Sequence, residues 1–167
     1  SEVQTVGGIR CVVAQQGPVE WWVIPMGVGP ERAATTARRM LAERSFAAVW
    51  STGFACALGP AEIGQVLIGT QVTMEDGKEV GRPIPCAPVF VDWVRRAVQE
   101  QRVPVQFGRF VTVPRVLCRA EEKREVAARV GGIGLDMESA ALGAVASEHE
   151  IPFVIVRTAS DLVDESL

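Results

Sequence analysis

The chain has 167 residues, 17 of them Lys or Arg and 20 Asp or Glu, for a formal net charge of −3. At about 150 residues per domain this is a single domain, and a chain of this size buries roughly 70% of its unfolded surface without needing staples. Hydrophobic residues are 48% and charged residues 22%, which excludes a disordered chain, a fibre or a coiled coil; the acidic balance excludes the footprint of a nucleic-acid or anionic-membrane binder, and no apolar run reaches the ~18 residues of a membrane span.

Val6–Ala14 and Val19–Met26 read as two strands joined by a turn at Gln15-Gln16-Gly17-Pro18. Gly27-Val28-Gly29 breaks the chain, and a helix is predicted from Pro30 to Arg44 on the stripe Ala33, Ala37, Met40 and Leu41. Phe46–Trp50 is a short buried strand ending in Ser51-Thr52-Gly53, and Gln65–Val72 is another, rich in Val, Ile and Thr. Met74–Pro88 is polar and carries Gly77, Gly81, Pro83 and Pro85, the composition of a long loop. A helix over Phe90–Gln99 stacks Phe90, Val94 and Val98; a strand over Gln106–Val113 and a charged helix over Ala120–Val130 follow. Ile133–Leu135 is a brief strand. Asp136-Met137-Glu138-Ser139 opens a helix, Met137–His149, whose stripe is Met137, Ala140, Ala141, Ala144 and Val145. Phe153–Val156 is an apolar strand buried on both faces, running into Arg157-Thr158-Ala159-Ser160-Asp161. Alternating strands and helices with buried strands define an α/β fold.

Cys11, Cys56, Cys86 and Cys118 form no CxxC, and the single histidine, His149, has no cysteine at zinc-ligand spacing. The thiols read as buried or half-buried in a reducing cytoplasm, and His149 as a solvated helix end. One histidine argues against a Ser/His/Asp or Cys/His pair. The polar start, Ser1-Glu2-Val3-Gln4, does not read as a secretory leader.

Ligands of open α/β sheets collect beyond the carboxyl ends of the strands. Three predicted strand ends carry glycine or polar residues: Gly27-Val28-Gly29, Ser51-Thr52-Gly53 and Ser160-Asp161. Glu138 stands at a helix N-terminus directly after a strand. Each has a simpler reading: glycines before a helix are common, Glu138 suits a first turn, and Asp161 could cap a following helix. Asp161 follows buried apolar residues and precedes Asp164 and Glu165, so its pKa is expected to rise towards a proton donor's range.

Taken together, Gly27-x-Gly29, Ser51-Thr52-Gly53, Asp136-Met137-Glu138-Ser139-Ala140-Ala141 and the run from Ile151 to Asp161 resemble the purine nucleoside phosphorylase and methylthioadenosine/adenosylhomocysteine nucleosidase superfamily. The block from Gly134 to Asp164 is the specific part. Its Asp-Met-Glu-Ser form, with the preceding Ala120-Glu121-Glu122-Lys123, is most similar to the hopanoid-associated phosphorylase branch. The resemblance implies one three-layer α/β domain over residues 1–167 with a mixed, largely parallel central sheet. The family's first strand and helix and its final helix are expected to lie outside these residues.

The resemblance also assigns roles. Glu138 would accept from the ribose hydroxyls, Met137 would pack under the sugar, and Asp161 would protonate or hydrogen-bond purine N7, with Ser160 and the backbone near Arg157 orienting it. Thr52 and Gly53 would touch substrate, while Gly27, Gly29 and Ser51 would line a phosphate or water pocket. The implied reaction is cleavage of a purine nucleoside N-glycosidic bond, by water or by phosphate as co-substrate, with no metal and no organic cofactor. The hopanoid branch implies a bulky apolar 5′ group, as in adenosylhopane, and the family implies a cytoplasmic homo-oligomer with Trp21 or Trp22 and Phe54 partly covered by a neighbour. The sequence departs from the pattern at several points. Ser51 aligns with the phosphorylases' Arg, Phe54 with a Ser or Thr and Cys56 with a Gly. Pro114, Arg115 and Val116 stand where the base-stacking aromatic is expected. A non-catalytic nucleoside-binding or structural remnant is the alternative these departures leave open.

Overall fold

The computed structural model describes residues 1–101 and 103–167. Thirteen elements follow in chain order: β1 (Glu2–Val6), β2 (Ile9–Gln16), β3 (Val19–Val23), α1 (Pro30–Glu43), β4 (Val49–Ala57), β5 (Val66–Met74), β6 (Ile84–Pro85), α2 (Pro88–Glu100), β7 (Val105–Thr112), α3 (Ala120–Val130), β8 (Gly134–Asp136), α4 (Ser139–Glu148) and β9 (Phe153–Leu162). The first three strands form an antiparallel sheet of their own. The run expected as one strand over Val6–Ala14 is two, because Gly7 and Gly8, at φ 55° and 77°, make a two-residue reversal between β1 and β2. β3 stops at Val23 rather than Met26, ahead of Pro25, which has no N–H to donate to a ladder.

The second sheet has the order β6-β5-β7-β8-β4-β9, and β5 also pairs with β9. The sheet is mixed, as expected, but it is not the open central layer of a three-layer sandwich: five strands close on themselves into a barrel-like sheet with β6 as an appendage. The β5–β7, β7–β8 and β4–β9 pairs are parallel, and β4–β8 and β5–β9 are antiparallel. β5 makes the closure by changing partners along its length. Val66–Gly69 pairs with β9, and Gln71 and Val72 pair with β6, inside the segment expected as loop.

Two strands run far past their expected ends. β4 continues through Ser51-Thr52-Gly53 to Ala57, and β9 continues through Ser160-Asp161 to Leu162, because each ladders along the other from Val49↔Phe153 to Ala57↔Leu162. The pairing overrides the local turn chemistry of Ser, Thr and Gly. These candidate residues therefore lie within strands and not at strand exits.

The main core joins Leu67, Ile68, Val72, Phe110, Val154 and Ile155 of the barrel to Ala33 and Ala37 of α1, Val91 and Val94 of α2, and the small-residue helix α4. α4 is buried nearly all round, which its Ala, Gly and Ser content allows by letting neighbouring backbones come close. Val126 and Val130 of α3 seal a second cluster with Cys56, Val111, Val113 and Leu135. Trp21 and Trp22 both find cover within the chain. Trp21 meets the edge of Trp50, which also meets Phe90 and Trp93, while Trp22 lies against Phe46 with the Arg44 guanidinium over its ring. All four cysteines are free thiols; Cys118 is exposed, against the expectation of burial, and the other three are buried.

The closure leaves no space at Gly69. A Cβ there would stand 2.8 Å from Ile155 Cβ, across the β5–β9 ladder. Gly69→Ala should therefore destabilise the fold by about 1–3 kcal/mol, as overpacking does, read as a lower urea midpoint with an unchanged slope.

Candidate active site

The site is built around Arg157, a buried cation on β9. Its Nε lies 3.0 Å from Asp136 Oδ2, a charge contact without hydrogen-bond alignment. Nη1 donates to the Phe54 carbonyl at 3.0 Å, and Nη2 donates to Ser51 Oγ at 3.0 Å, Ser139 Oγ at 3.3 Å and Glu138 Oε2 at 3.4 Å. One guanidinium thus ties β4 and β9 to the β8–α4 junction.

Asp136, the last residue of β8, is buried at the centre of this network. Its Oδ1 accepts from Thr112 Oγ1 at 2.7 Å and from the backbone N–H groups of Glu138 and Ser139 at 3.2 and 3.1 Å, and its Oδ2 accepts from Ser139 Oγ. Thr112 Oγ1 in turn accepts from Ala140 N–H at 2.9 Å. The first N–H groups of α4, which have no partner within the helix, are thereby satisfied by two side chains outside it. Ser51 and Ser139 share a hydrogen bond of 2.7 Å.

Glu138, the N-cap residue of α4, is fixed from two sides: the Gly29 N–H donates to Oε1 at 2.9 Å, and Arg157 approaches Oε2. Gly29 is itself the N-cap of α1, at φ 94°, a conformation that glycine adopts without strain. A carboxylate at a helix N-terminus is favoured by the dipole. With two of about four acceptor positions engaged, Glu138 can still accept from a pair of vicinal hydroxyls.

A second network lies one residue along β4. Ser160 Oγ donates to Asp161 Oδ1 at 2.9 Å and lies 3.4 Å from the Ala55 carbonyl, next to the carbonyl Arg157 holds. Asp161 Oδ2 accepts from Lys123 Nζ at 2.5 Å. Burial pushes the Asp161 pKa up, but hydrogen bonds from Lys123, Ser160 and Cys56 and the Lys123 charge outweigh it, so the carboxyl sits below its ordinary value. This corrects the expectation of a raised pKa: the acids Asp164 and Glu165 lie nearby in sequence, but the nearest charge is a cation. Burial, then the Asp161 charge, pushes the Cys56 thiol up to about 12.

The structure joins Gly29, Ser51 and Glu138 in the first network and Ser160 and Asp161 in the second. Thr52 and Gly53 are exposed on β4, opposite Val156 and Arg157, and Met137 is half-buried between Asp136 and Glu138. Gly27 is apart from both, in an open depression of about 420 Å³ with Met26, Arg32 and Thr36. Among the described residues no cluster of His, Cys, Asp and Glu could hold a metal ion. Sequence reasoning missed the hub role of Arg157, and it missed Asp136, Thr112, Ser139 and Lys123. Lys123 left a signal, because it falls on the same helical face as Val126 and Val130.

The site thus sits in a closed mixed sheet flanked by helices, where the Asp-Met-Glu junction after β8 meets an Arg two strands away on β9. The chain belongs to the Phosphorylase superfamily, which it matches over residues 2–167. It is 27% identical over 153 residues, 83% of its length and 67% of the relative's, to a 5'-methylthioadenosine/S-adenosylhomocysteine nucleosidase of Staphylococcus aureus. Its fold superposes on a Neisseria meningitidis 5'-methylthioadenosine/S-adenosylhomocysteine nucleosidase bound to methylthio-immucillin-A, with a TM-score of 0.89 and 23% identity over 98% of this chain and 78% of that one. It also superposes on a mutant futalosine hydrolase of Helicobacter pylori, with a TM-score of 0.88 and 18% identity over 98% and 77%.

Two outcomes follow for stability. Arg157→Met leaves Asp136 buried without its cation and should cost about 3–5 kcal/mol in chemical denaturation. Because Asp161 is depressed in the folded state, its contribution is present above the unfolded aspartate pKa of about 3.9 and is lost as pH falls through the folded value. The stability gap between wild type and Asp161→Asn should be flat above about pH 5 and shrink below about pH 4.

Proposed function

We propose that the protein hydrolyses the N-glycosidic bond of a purine nucleoside. The observation that carries this reading is Glu138, a half-buried carboxylate clamped between the Gly29 N–H and the Arg157 guanidinium, with acceptor capacity left for the ribose diol. Met137, beside it, would contact the sugar. Water would attack C1′ and give up one proton to solvent, the C1′–N9 bond would break with its electron pair passing to the base, and a proton from solvent would neutralise the base at N7. Asp161, being ionised, would meet N7 as an acceptor and stabilise that proton. Ser51 Oγ, bonded to Arg157 and Ser139, would sit by the nucleophile beside Gly29, and Thr52 and Gly53, exposed on β4, would touch substrate. The nucleosidase names of the similar proteins favour water; phosphate as co-substrate would make the reaction phosphorolysis.

An apolar 5′ group, of the kind adenosylhopane carries, is part of the proposal. Val28, next to the glycine that holds Glu138, is 66% exposed, and Phe54, whose carbonyl Arg157 holds, is 72% exposed. An exposed Phe54 also supports a homo-oligomer in which a second copy covers it, which sedimentation at micromolar concentration would register. Free thiols suit a reducing compartment, the cytoplasm in this reading; among the described residues no helix is long and apolar enough to cross a membrane.

The test is release of free base from a panel of 5′-modified adenosines, with and without phosphate. Release without phosphate is expected; release that requires phosphate reassigns the nucleophile, and no release despite binding leaves a non-catalytic nucleoside-binding protein. Glu138→Gln should weaken nucleoside binding by about 10–150-fold, the loss of a charge-assisted hydrogen bond. Asp161→Asn, which removes the anion that stabilises the N7 proton, should slow base release by roughly 10²–10³.

A further inference from the structure

Lys123 is a charged side chain only 1% exposed, on the buried face of α3 that also carries Val126 and Val130. Its ammonium has three acceptors: Asp161 Oδ2 at 2.5 Å, the Glu165 carbonyl at 2.8 Å and the Leu162 carbonyl at 3.4 Å. The two carbonyls belong to the turn after β9, which Glu165 closes by accepting from Leu162 N–H at 2.9 Å. Three acceptors satisfy all three ammonium protons. Asp161, 15% exposed, is the member of this pair that reaches solvent.

We propose that Lys123 is a positioning residue for the purine, its ammonium holding Asp161 as a carboxylate acceptor that selects base forms carrying a hydrogen on N7. This rests on the nucleoside reading above. The other groups facing Asp161 are the Cys56 thiol of β4 and the Ser160 hydroxyl, while Glu165 of the turn accepts from Leu162 N–H. Beyond them Arg124 of α3 pairs with Asp164 at 3.0 Å at the surface. Lys123 is the cation in contact with Asp161. Without it, burial would oppose the charge and favour a protonated carboxyl, which offers N7–H a poorer acceptor. The intrinsic hydrogen bond to an ionised acceptor is the strong kind, and it is absent with an analogue that has C–H at position 7.

The experiment compares calorimetric binding of 9-deazaadenosine, which carries N7–H, with that of 7-deazaadenosine, which carries C7–H, from pH 5 to 8. Wild type should prefer the N7–H compound by about 10-fold or more across this range. Lys123→Met should lose the preference as pH falls towards 5, and Lys123→Arg should restore part of it. The Asp161 carboxyl carbon, followed by NMR in wild type, should titrate below the usual aspartate range, a readout that needs neither activity nor a variant that folds. Nucleoside binding with no N7–H preference, a preference that fades below pH 6 in wild type, or a Lys123→Met variant that is folded and keeps the full preference at pH 5 overturns the role of Lys123. No binding of either nucleoside, with Asp161 still titrating low, overturns the nucleoside reading itself and this role with it.

Discussion

The site depends on keeping one guanidinium charge satisfied where water cannot reach it. Arg157 is buried between β4 and the β8–α4 junction, and a lone cation there would carry a penalty of several kcal/mol. Asp136 and Glu138 supply the counter-charge, and Ser51, Ser139 and the Phe54 carbonyl supply the remaining acceptors. A buried ion network of this kind adds little net stability over a well-packed apolar substitute. What it fixes is arrangement. β4, β8, β9 and the first turn of α4 must each be in register for the guanidinium to be satisfied, and Glu138 is oriented as a result.

β9 carries both charged networks, and an irregularity separates them. The β4–β9 ladder runs in step from Val49↔Phe153 to Ala55↔Ala159, then shifts so that Cys56 faces Asp161, leaving Ser160 as the extra residue. A bulge re-aims the side chains around it. Here it leaves Ser160 free to donate to Asp161 while lying against the Ala55 carbonyl. The two networks touch β4 at consecutive carbonyls, those of Phe54 and Ala55.

The α/β class and four helices were legible in the sequence because periodicity is a local signal: Ala33, Ala37 and Met40 mark α1, and Val126 and Val130 mark α3. Family resemblance pointed to Glu138 and Asp161 as the carboxylates. The closure of the sheet was not legible, since it depends on Gly69 meeting Ile155, a pairing that no local pattern encodes. The lengths of β4 and β9 were misread for the same reason: Ser51-Thr52-Gly53 has the chemistry of a turn, and only the partner strand keeps it extended. The charge state of Asp161 was misjudged because acidic neighbours in sequence were weighed and a lysine 38 positions earlier was not.

Closing the barrel also decides where this protein is exposed to association by strand pairing. A strand with free N–H and C=O groups along one side is a template for another chain, and closure removes such sides. In the main sheet the remaining edge is β6, two residues long with a proline in it. The small antiparallel sheet has two open sides instead, β1 and β3, and Val3, Val19 and Val23 on them are exposed. Charges placed at the exposed Val3, Val19 or Val23 would block strand addition to this peripheral sheet while leaving Trp21, through which β3 meets Trp50 of the barrel, in place.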